Sequence, residues 1–208
     1  MKILTPGVNV RTSVCLLLLW GSVSRSFGVG ITFTHSGIGS GSIGGVPFAN
    51  ASFSITELAD TSNRLPFAGG FSIDDTSATI SISGLGLFHF TTPTRTFVNN
   101  NLGLVGFSRA TIFGTDLFNG PTAGVFASWD MLSAIGPITG PGALLAWSFS
   151  PVVTDGGTLI FNNSTPNATF QATVIPEPSV SALCLLVLAA FRPGQRNEFN
   201  RRASMAKP

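Results

Sequence analysis

The stretch ASFSIT (residues 51–56) alternates apolar and polar side chains, and the stretches ITFTH (31–35) and ATISIS (78–83) do the same. A period of two is typical of a β-strand with one buried face, because successive side chains point to opposite sides of the strand. The three stretches therefore predict half-buried strands. The residues expected to face the core are Phe33, Phe53, Ile55, Ile80 and Ile82.

Seven further strands are predicted between turn signals made of Gly, Pro, Asn and Asp, which include residues 119–121 and 140–142. The strands cover residues 87–92, 94–98, 104–113, 125–129, 143–149, 157–161 and 168–175, and a short helical turn is expected at 129–135. About ten short strands at this spacing favour an all-β fold. We expect an antiparallel β-sandwich, jelly-roll-like, over residues 29–174.

The composition agrees with one exported β domain. The chain has 208 residues, with 24 Gly and 13 Pro against only 20 charged residues (11 Lys and Arg, 9 Asp and Glu). A coiled coil would have few of these turn residues, and a disordered chain would combine few apolar residues with high net charge. Both classes are excluded.

The N-terminal segment, residues 1–28, has the layout of a secretory signal peptide. Lys2 and Arg11 precede the apolar run VCLLLLW (14–20), and small residues follow, with cleavage expected after Ser24, Ser26 or Gly28. Both cysteines, Cys15 and Cys184, lie in terminal apolar segments. The exported domain is therefore expected to have no disulfide and to depend on its core alone.

The C-terminal segment, residues 175–208, repeats these ingredients in another order. The tripeptide Pro176-Glu177-Pro178 precedes a short apolar segment (180–191) and a basic tail (192–208). The apolar segment has 12 residues, and as a helix it would reach about 18 Å, short of the ~30 Å hydrocarbon core. Basic residues after an apolar segment stay in the cytoplasm, which places the preceding domain outside.

This order of features resembles the PEP-CTERM sorting signal of Gram-negative bacteria. The resemblance covers about 33 residues and does not extend to the β domain. It implies recognition and cleavage near the tripeptide by an exosortase, a membrane-embedded cysteine transpeptidase, after export through the Sec machinery. Carried over by position, Pro176, Glu177 and Pro178 are the recognition residues, residues 180–191 are the transient inner-membrane segment and the tail from Arg192 onward is the stop signal. The apolar segment is shorter and the basic tail more dispersed than that pattern.

The charges divide between the ends and the domain. Eight of the 11 basic residues lie in the two targeting segments, so residues 29–174 keep three basic residues against seven acidic ones, a net charge of −4. The basic balance of the whole chain therefore reflects membrane topology. We expect no nucleic-acid partner.

Motifs for catalysis, cofactors and metals are weak. The glycine pattern at 39–44 fits G-x-G-x-x-G, but a strand follows it where a dinucleotide site needs a helix, so we interpret it as a flexible loop and expect no cofactor. His35, placed at the end of the first strand, and His89, on a solvated strand face, are the candidates for a hydrolase, but no nucleophile motif accompanies either. Carboxylates expected in or near turns could bind calcium, but turn chemistry explains them more simply and no spaced D-x-D-x-D-G loop is present. These carboxylates belong to Asp74, Asp75, Asp116, Asp130 and Asp155.

Carbohydrate binding is the main alternative, because exported sandwiches commonly bind sugars through exposed aromatic rings. The domain has no Tyr, and its tryptophans are Trp129 and Trp147. Trp147 lies in an apolar run and is expected in the core, so Trp129 is the candidate glycan-stacking residue.

The sequence thus predicts a secreted or surface-associated, non-enzymatic component of the extracellular polymer matrix, with no catalytic, cofactor or metal site. Extracellular polysaccharide is an expected partner. The alternatives are a carbohydrate-binding module on the same scaffold and a hydrolase that uses His35 or His89.

Overall fold

A computed structural model describes residues 28–110, 115–145, 147 and 151–176. Thirteen strands and two short 3-10 helices account for most of them. The helices are Thr61–Asn63 and Gly124–Ala127. The strands are β1 (Gly30–Ile43), β2 (Val46–Asp60), β3 (Leu65–Phe67), β4 (Gly70–Ile82), β5 (Gly86–His89), β6 (Thr94–Asn99), β7 (Leu104–Arg109), β8 (Asp116–Thr122), β9 (Ile135–Pro141), β10 (Ala143–Leu144), β11 (Val152–Thr154), β12 (Gly157–Ser164) and β13 (Asn167–Val174).

All strands belong to one sheet, and their pairings in the described ranges are antiparallel. The central order is β10-β8-β7-β6-β4-β2-β1-β12-β11, with β3 and β5 on β4, β13 on β1 and β9 on β13. The all-β antiparallel class predicted from the sequence is confirmed. The long strands β1, β2 and β4 lie next to one another in this order, so the strands form one continuous sheet.

The sheet curls until it is nearly closed. The first half of β1 pairs with β13 and its second half with β12, while β4 pairs first with β6 and then with β2 and β5. Past the end of β5, Phe90 bridges to Thr154 of β11. The amide of Thr91 donates to the carbonyl of Val153 at 2.8 Å, so backbone bonds join the two edges of this part of the sheet.

Phenylalanine is the most frequent residue of the hydrophobic core. One cluster includes Phe53, Phe107, Phe118 and Trp147, and a second includes Phe33, Phe126, Trp129 and Phe170. The five residues expected in the core from the alternation are confirmed there, each at most 3% exposed. Burying a Phe side chain contributes roughly 2 kcal/mol, so these rings are a substantial part of the stabilisation from the core.

Two strands contain Gly-Pro sequences that were interpreted as turns. Turns were expected at 119–121 and 140–142, yet β8 and β9 run through or up to them. Pro121 lies at an irregularity in the pairing of β8 with β7, and Pro137 lies on β9, which pairs only with β13 among the described strands. Proline is tolerated at both kinds of position because no ladder bond needs its missing N–H.

Three local predictions were wrong. Residues 125–129 were expected as a strand, but Gly124–Ala127 is a 3-10 helix, and the helical turn expected at 129–135 is irregular up to the start of β9. The glycine pattern at 39–44 was interpreted as a loop and instead continues β1 to Ile43. Gly41 belongs there because a Cβ atom would lie 2.0 Å from the carbonyl oxygen of Ile160.

Candidate functional site

A groove of about 240 Å³ lies on the outer face of the sheet, across β3, β4, β6, β7 and β8. Its side chains alternate with core residues: Phe97 faces the groove between Thr96 and Val98, which are fully buried on the other face. The register places Ser72 opposite Phe97 and Ser108 opposite Arg95. Three of the five strands, β4, β6 and β7, thus place their lining residues side by side.

Phenylalanine forms both the floor and the rim of the groove. Phe97 lies across Gly106, where a Cβ atom would be only 2.3 Å from Cζ of Phe97. The absence of a side chain at Gly106 therefore creates the space for this ring. Phe67, at the end of β3, stands at the rim and is 43% exposed. Two aromatic rings consequently border a space that water can enter.

The polar groups of the groove are held by neighbours. Nε of Arg95 donates to Oδ1 of Asp74 at 2.5 Å, a charge-assisted hydrogen bond. Oδ1 of Asn99 accepts from the amide of Leu102 at 3.1 Å, which orients the Asn99 side chain. Partial burial raises the pKa of Asp116 and outweighs an opposing hydrogen bond from Asn119. The groove thus presents hydrogen-bond donors and acceptors, and its one cationic side chain, Arg95, is paired with Asp74.

A second recess of about 230 Å³ surrounds Asp75 on β4. Oγ1 of Thr96 donates to Oδ1 of Asp75 at 3.1 Å, while Oδ2 is buried and has no hydrogen-bond partner among the described residues. Burial raises the pKa of Asp75 to about 7, against the hydrogen bonds from Thr94 and Thr96. Asp74 and Asp75 were expected in a turn, and they lie within a strand instead.

His35 is inside the domain, and this contradicts a role as a solvent-accessible catalytic base. It lies in the middle of β1 rather than at a strand end and has no exposed surface. The ring of Phe170 is 4.8 Å away and that of Phe118 is 5.8 Å away, centroid to centroid. Burial lowers the pKa of His35 to about 3. A substrate has no path to this imidazole in the described structure.

Glu57 is the buried partner of His35 that the sequence reasoning missed. Its Oε1 lies 3.9 Å from Nε2 of His35, and its pKa is raised well above the ordinary value by burial and by the nearby charge of Asp75. The carbonyl of Gly120 is close enough to favour the protonated ring, but neither ring nitrogen makes a well-formed hydrogen bond with a described residue. The alternation that marked Phe53 and Ile55 as inward also marks Glu57.

His89 is exposed on β5, as predicted, and it is separated from His35 by the wall of the sheet. Its amide donates to Oδ1 of Asp155 at 2.9 Å, and its carbonyl accepts from the amide of Asp155 at 2.9 Å. Both contacts use the backbone of His89, not its imidazole, and they join the edge of β5 to the turn after β11. The two histidines are therefore not brought together into one site.

Trp129 is buried, and this corrects its assignment as an exposed stacking residue. The side chain is 5% exposed, with Phe170 at 5.5 Å and Phe33 and Phe126 each at 6.1 Å between ring centroids. Its Nε1 donates to the carbonyl of Ser133 at 3.0 Å. A ring enclosed by other rings offers no face to a sugar. Trp147 is fully buried, as expected.

The structure describes only part of the remaining residues predicted from the sequence. Pro176 is exposed, whereas Glu177, Pro178, the apolar segment 180–191, the basic tail and the signal peptide up to residue 27 lie outside the described residues.

In the ranges that the structure covers, no three His, Cys, Asp or Glu side chains are grouped closely enough to hold a metal ion. Among the helices of those ranges, none is long and apolar enough to cross a membrane.

Comparison with known proteins leaves the chain without a match: no protein family, curated protein or solved structure resembles it significantly.

Proposed function

We propose that this chain is an exported, non-enzymatic protein of the cell surface or the extracellular polymer matrix. The β domain is the delivered part, and the segment from Ile175 onward is the sorting signal. Its partners on the way are the Sec machinery and an exosortase-type transpeptidase. The resemblance of residues 174–207 to a PEP-CTERM signal suggests the route.

The proposal rests on the position at which the folded domain ends, just before the tripeptide. The compact unit that contains the strands ends at Val174, the last residue of β13. Ile175 and Pro176 are exposed. The tripeptide therefore begins two residues beyond the last strand, so an enzyme can grip it without unfolding the sheet. Prolines at 176 and 178 lack N–H donors and disfavour a helix in the residue before each of them, so the sequence favours the extended backbone that a cleaving enzyme needs.

The charge of the domain supports an extracellular role over nucleic-acid binding. With a net charge of −4 over residues 29–174, the domain repels a polyphosphate backbone. One of its three arginines, Arg64, is engaged within the domain. Its guanidinium lies 4.4 Å from the ring centre of Phe71 and 3.5 Å from a carboxylate oxygen of Asp130.

The intact mass of the exported protein tests the proposal. In a Gram-negative host that carries an exosortase, the wild-type mass should correspond to a chain that starts after Ser24, Ser26 or Gly28 and ends near Pro176. Glu177→Ala should accumulate in the membrane fraction with residues 180–208 still attached. The matched control is Glu198→Ala, which removes a carboxylate from the basic tail and should be cut normally. A wild-type protein that keeps residues 180–208, or equal cutting of both variants, would contradict the proposal.

A further inference from the structure

We propose that the groove between β3 and β8 binds a neutral polysaccharide, through stacking on Phe67 and hydrogen bonds from the polar lining. This inference builds on the proposed function, because a matrix protein needs a means of holding the matrix. It also moves the carbohydrate site from Trp129, whose ring is enclosed, to a surface that a glycan can reach.

The aromatic part of the groove fits the apolar face of a pyranose ring. Sugar rings have one face made of C–H groups, and exposed aromatic rings bind that face. Phe67 leaves nearly half of its surface in water directly beside hydrogen-bonding groups. Phe97 provides a second, largely buried ring as a floor, positioned by Gly106. A pocket with aromatic walls and a few fixed polar groups is the usual form of a small-molecule site.

The polar part fits the hydroxyl groups at the edge of a sugar. Asn99 and Asp116 carry planar groups that can each contact two neighbouring hydroxyls, and the hydroxyls of Ser72 and Ser108 can both donate and accept. The amide of Leu102 already holds Asn99, and the side chain of Asn119 bonds to Asp116. Groups held in place before binding lose less conformational entropy when the ligand arrives.

The charges favour a neutral glycan over an acidic one. Arg95 would be the natural partner of a uronate, sulfate or phosphate group, but its Nε is committed to Asp74. Asp116 adds a carboxylate to the same groove, and the domain as a whole has a net charge of −4. An anionic polymer would meet repulsion both at long range and at contact.

The size of the groove indicates contact with a short part of a long chain. Its volume of about 240 Å³ is below the ~300–1,000 Å³ of typical pockets for drug-sized ligands. We therefore expect a weak site, with a Kd between about 10 μM and 1 mM, in which repeated units of a polymer add avidity.

Titration calorimetry on the purified full-length chain tests the proposal. The solution should contain a polyoxyethylene detergent, which has no sugar headgroup to compete. The neutral probes are hexasaccharides of β-1,4-glucose, α-1,4-glucose and β-1,4-mannose, and the acidic probe is hexagalacturonate. At least one neutral probe should bind, and hexagalacturonate should bind more weakly. Phe67→Ala should weaken the neutral probe about tenfold or more, and Phe67→Trp should preserve or strengthen its binding.

The matched control is Leu87→Ala, which removes an exposed apolar side chain from β5, outside the groove. It should leave binding unchanged. The inference is overturned if no neutral probe binds, if hexagalacturonate binds most tightly, or if Phe67→Ala has no more effect than Leu87→Ala. The two proposals fail in different ways. A chain that is exported and cut but binds no glycan refutes only the proposed glycan site in the groove. A chain that binds glycan but keeps residues 180–208 refutes only the proposed sorting signal.

Discussion

His35 and Glu57 form a buried pair in the middle of an aromatic core, with Nε2 and Oε1 3.9 Å apart and neither side chain exposed. In the ladder, His35 lies opposite Ile55 and Glu57 lies opposite Phe33, so the two polar side chains are diagonal neighbours on the inward face. Burial lowers the pKa of the imidazole and raises that of the carboxyl. Burial therefore disfavours the charged form of both groups.

Replacing His35 should remove a source of acid sensitivity. The folded pKa of about 3 lies below the ordinary value of 6.5, so the unfolded chain binds more protons between these pH values, and the folded state loses stability as the pH falls. In His35→Leu this loss is absent. We expect the stability of the variant relative to wild type to rise by up to about 3 kcal/mol between pH 7 and pH 4 in urea unfolding. A pH-independent difference would show that the pKa of His35 is not lowered in the folded domain.

Asp75→Asn should have the opposite pH dependence. The folded pKa of about 7 lies above the ordinary value of 3.8, so the folded state binds more protons between these pH values and loses stability as the pH rises from 3.8 to 7. Asparagine stays neutral and can still accept from Thr96. The variant should gain ~2 kcal/mol over wild type at pH 8, because solvent at the partly exposed carboxyl screens part of the effect, and much less at pH 4. Parallel stability curves for the two proteins would exclude the raised pKa.

Trp129→Ala should act as a core substitution. The indole contacts three phenylalanine rings and donates a hydrogen bond to Ser133, so its removal leaves a large cavity. We expect a loss of about 3–5 kcal/mol in the free energy of unfolding. Leu87→Ala, at a residue that is 60% exposed, should cost less than ~0.5 kcal/mol. Similar small losses for both variants would mean that Trp129 lies at the surface.

Gly106→Ala should strain the floor of the groove. The new methyl group would lie 2.3 Å from Phe97 and 2.8 Å from the carbonyl oxygen of Phe118, so the ring or a strand must move. We expect a cost of about 1–3 kcal/mol, as for other overpacked sites. Gly124→Ala is the control, because its Cβ would meet no atom within 4 Å. Thermal unfolding of both variants measures the difference, and equal midpoints would refute the close packing.

Local patterns were sufficient to predict the strands that alternate strictly. Phe53 and Ile55 were assigned to the core because a period of two leaves one arrangement that buries them. The same rule places Glu57 and His35 inside, but His35 was expected at a strand end and Glu57 was not singled out. Only the surrounding rings, which come from distant strands, show how the domain accommodates them.

The groove could not be predicted, because its lining comes from five strands whose neighbours are decided by long-range pairing. Alternation shows that Phe97 and Arg95 share a face, yet it does not show that Phe67 and Asp116 lie beside them. Trp129 illustrates the same limit, since its environment is built by Phe33, Phe126 and Phe170 from separate parts of the chain.

The pairing of Ile31 with Val174 has a mechanical consequence. The first and last strands of the domain are antiparallel neighbours, so the chain enters and leaves the sheet at adjacent positions. A pull applied between these two ends would load the backbone bonds one after another, as in opening a zipper, and would separate β1 from β13 at low force. If the domain is attached to its surroundings through only one of these ends, no force acts between β1 and β13. The pairing of the two strands is then not loaded when the surroundings move.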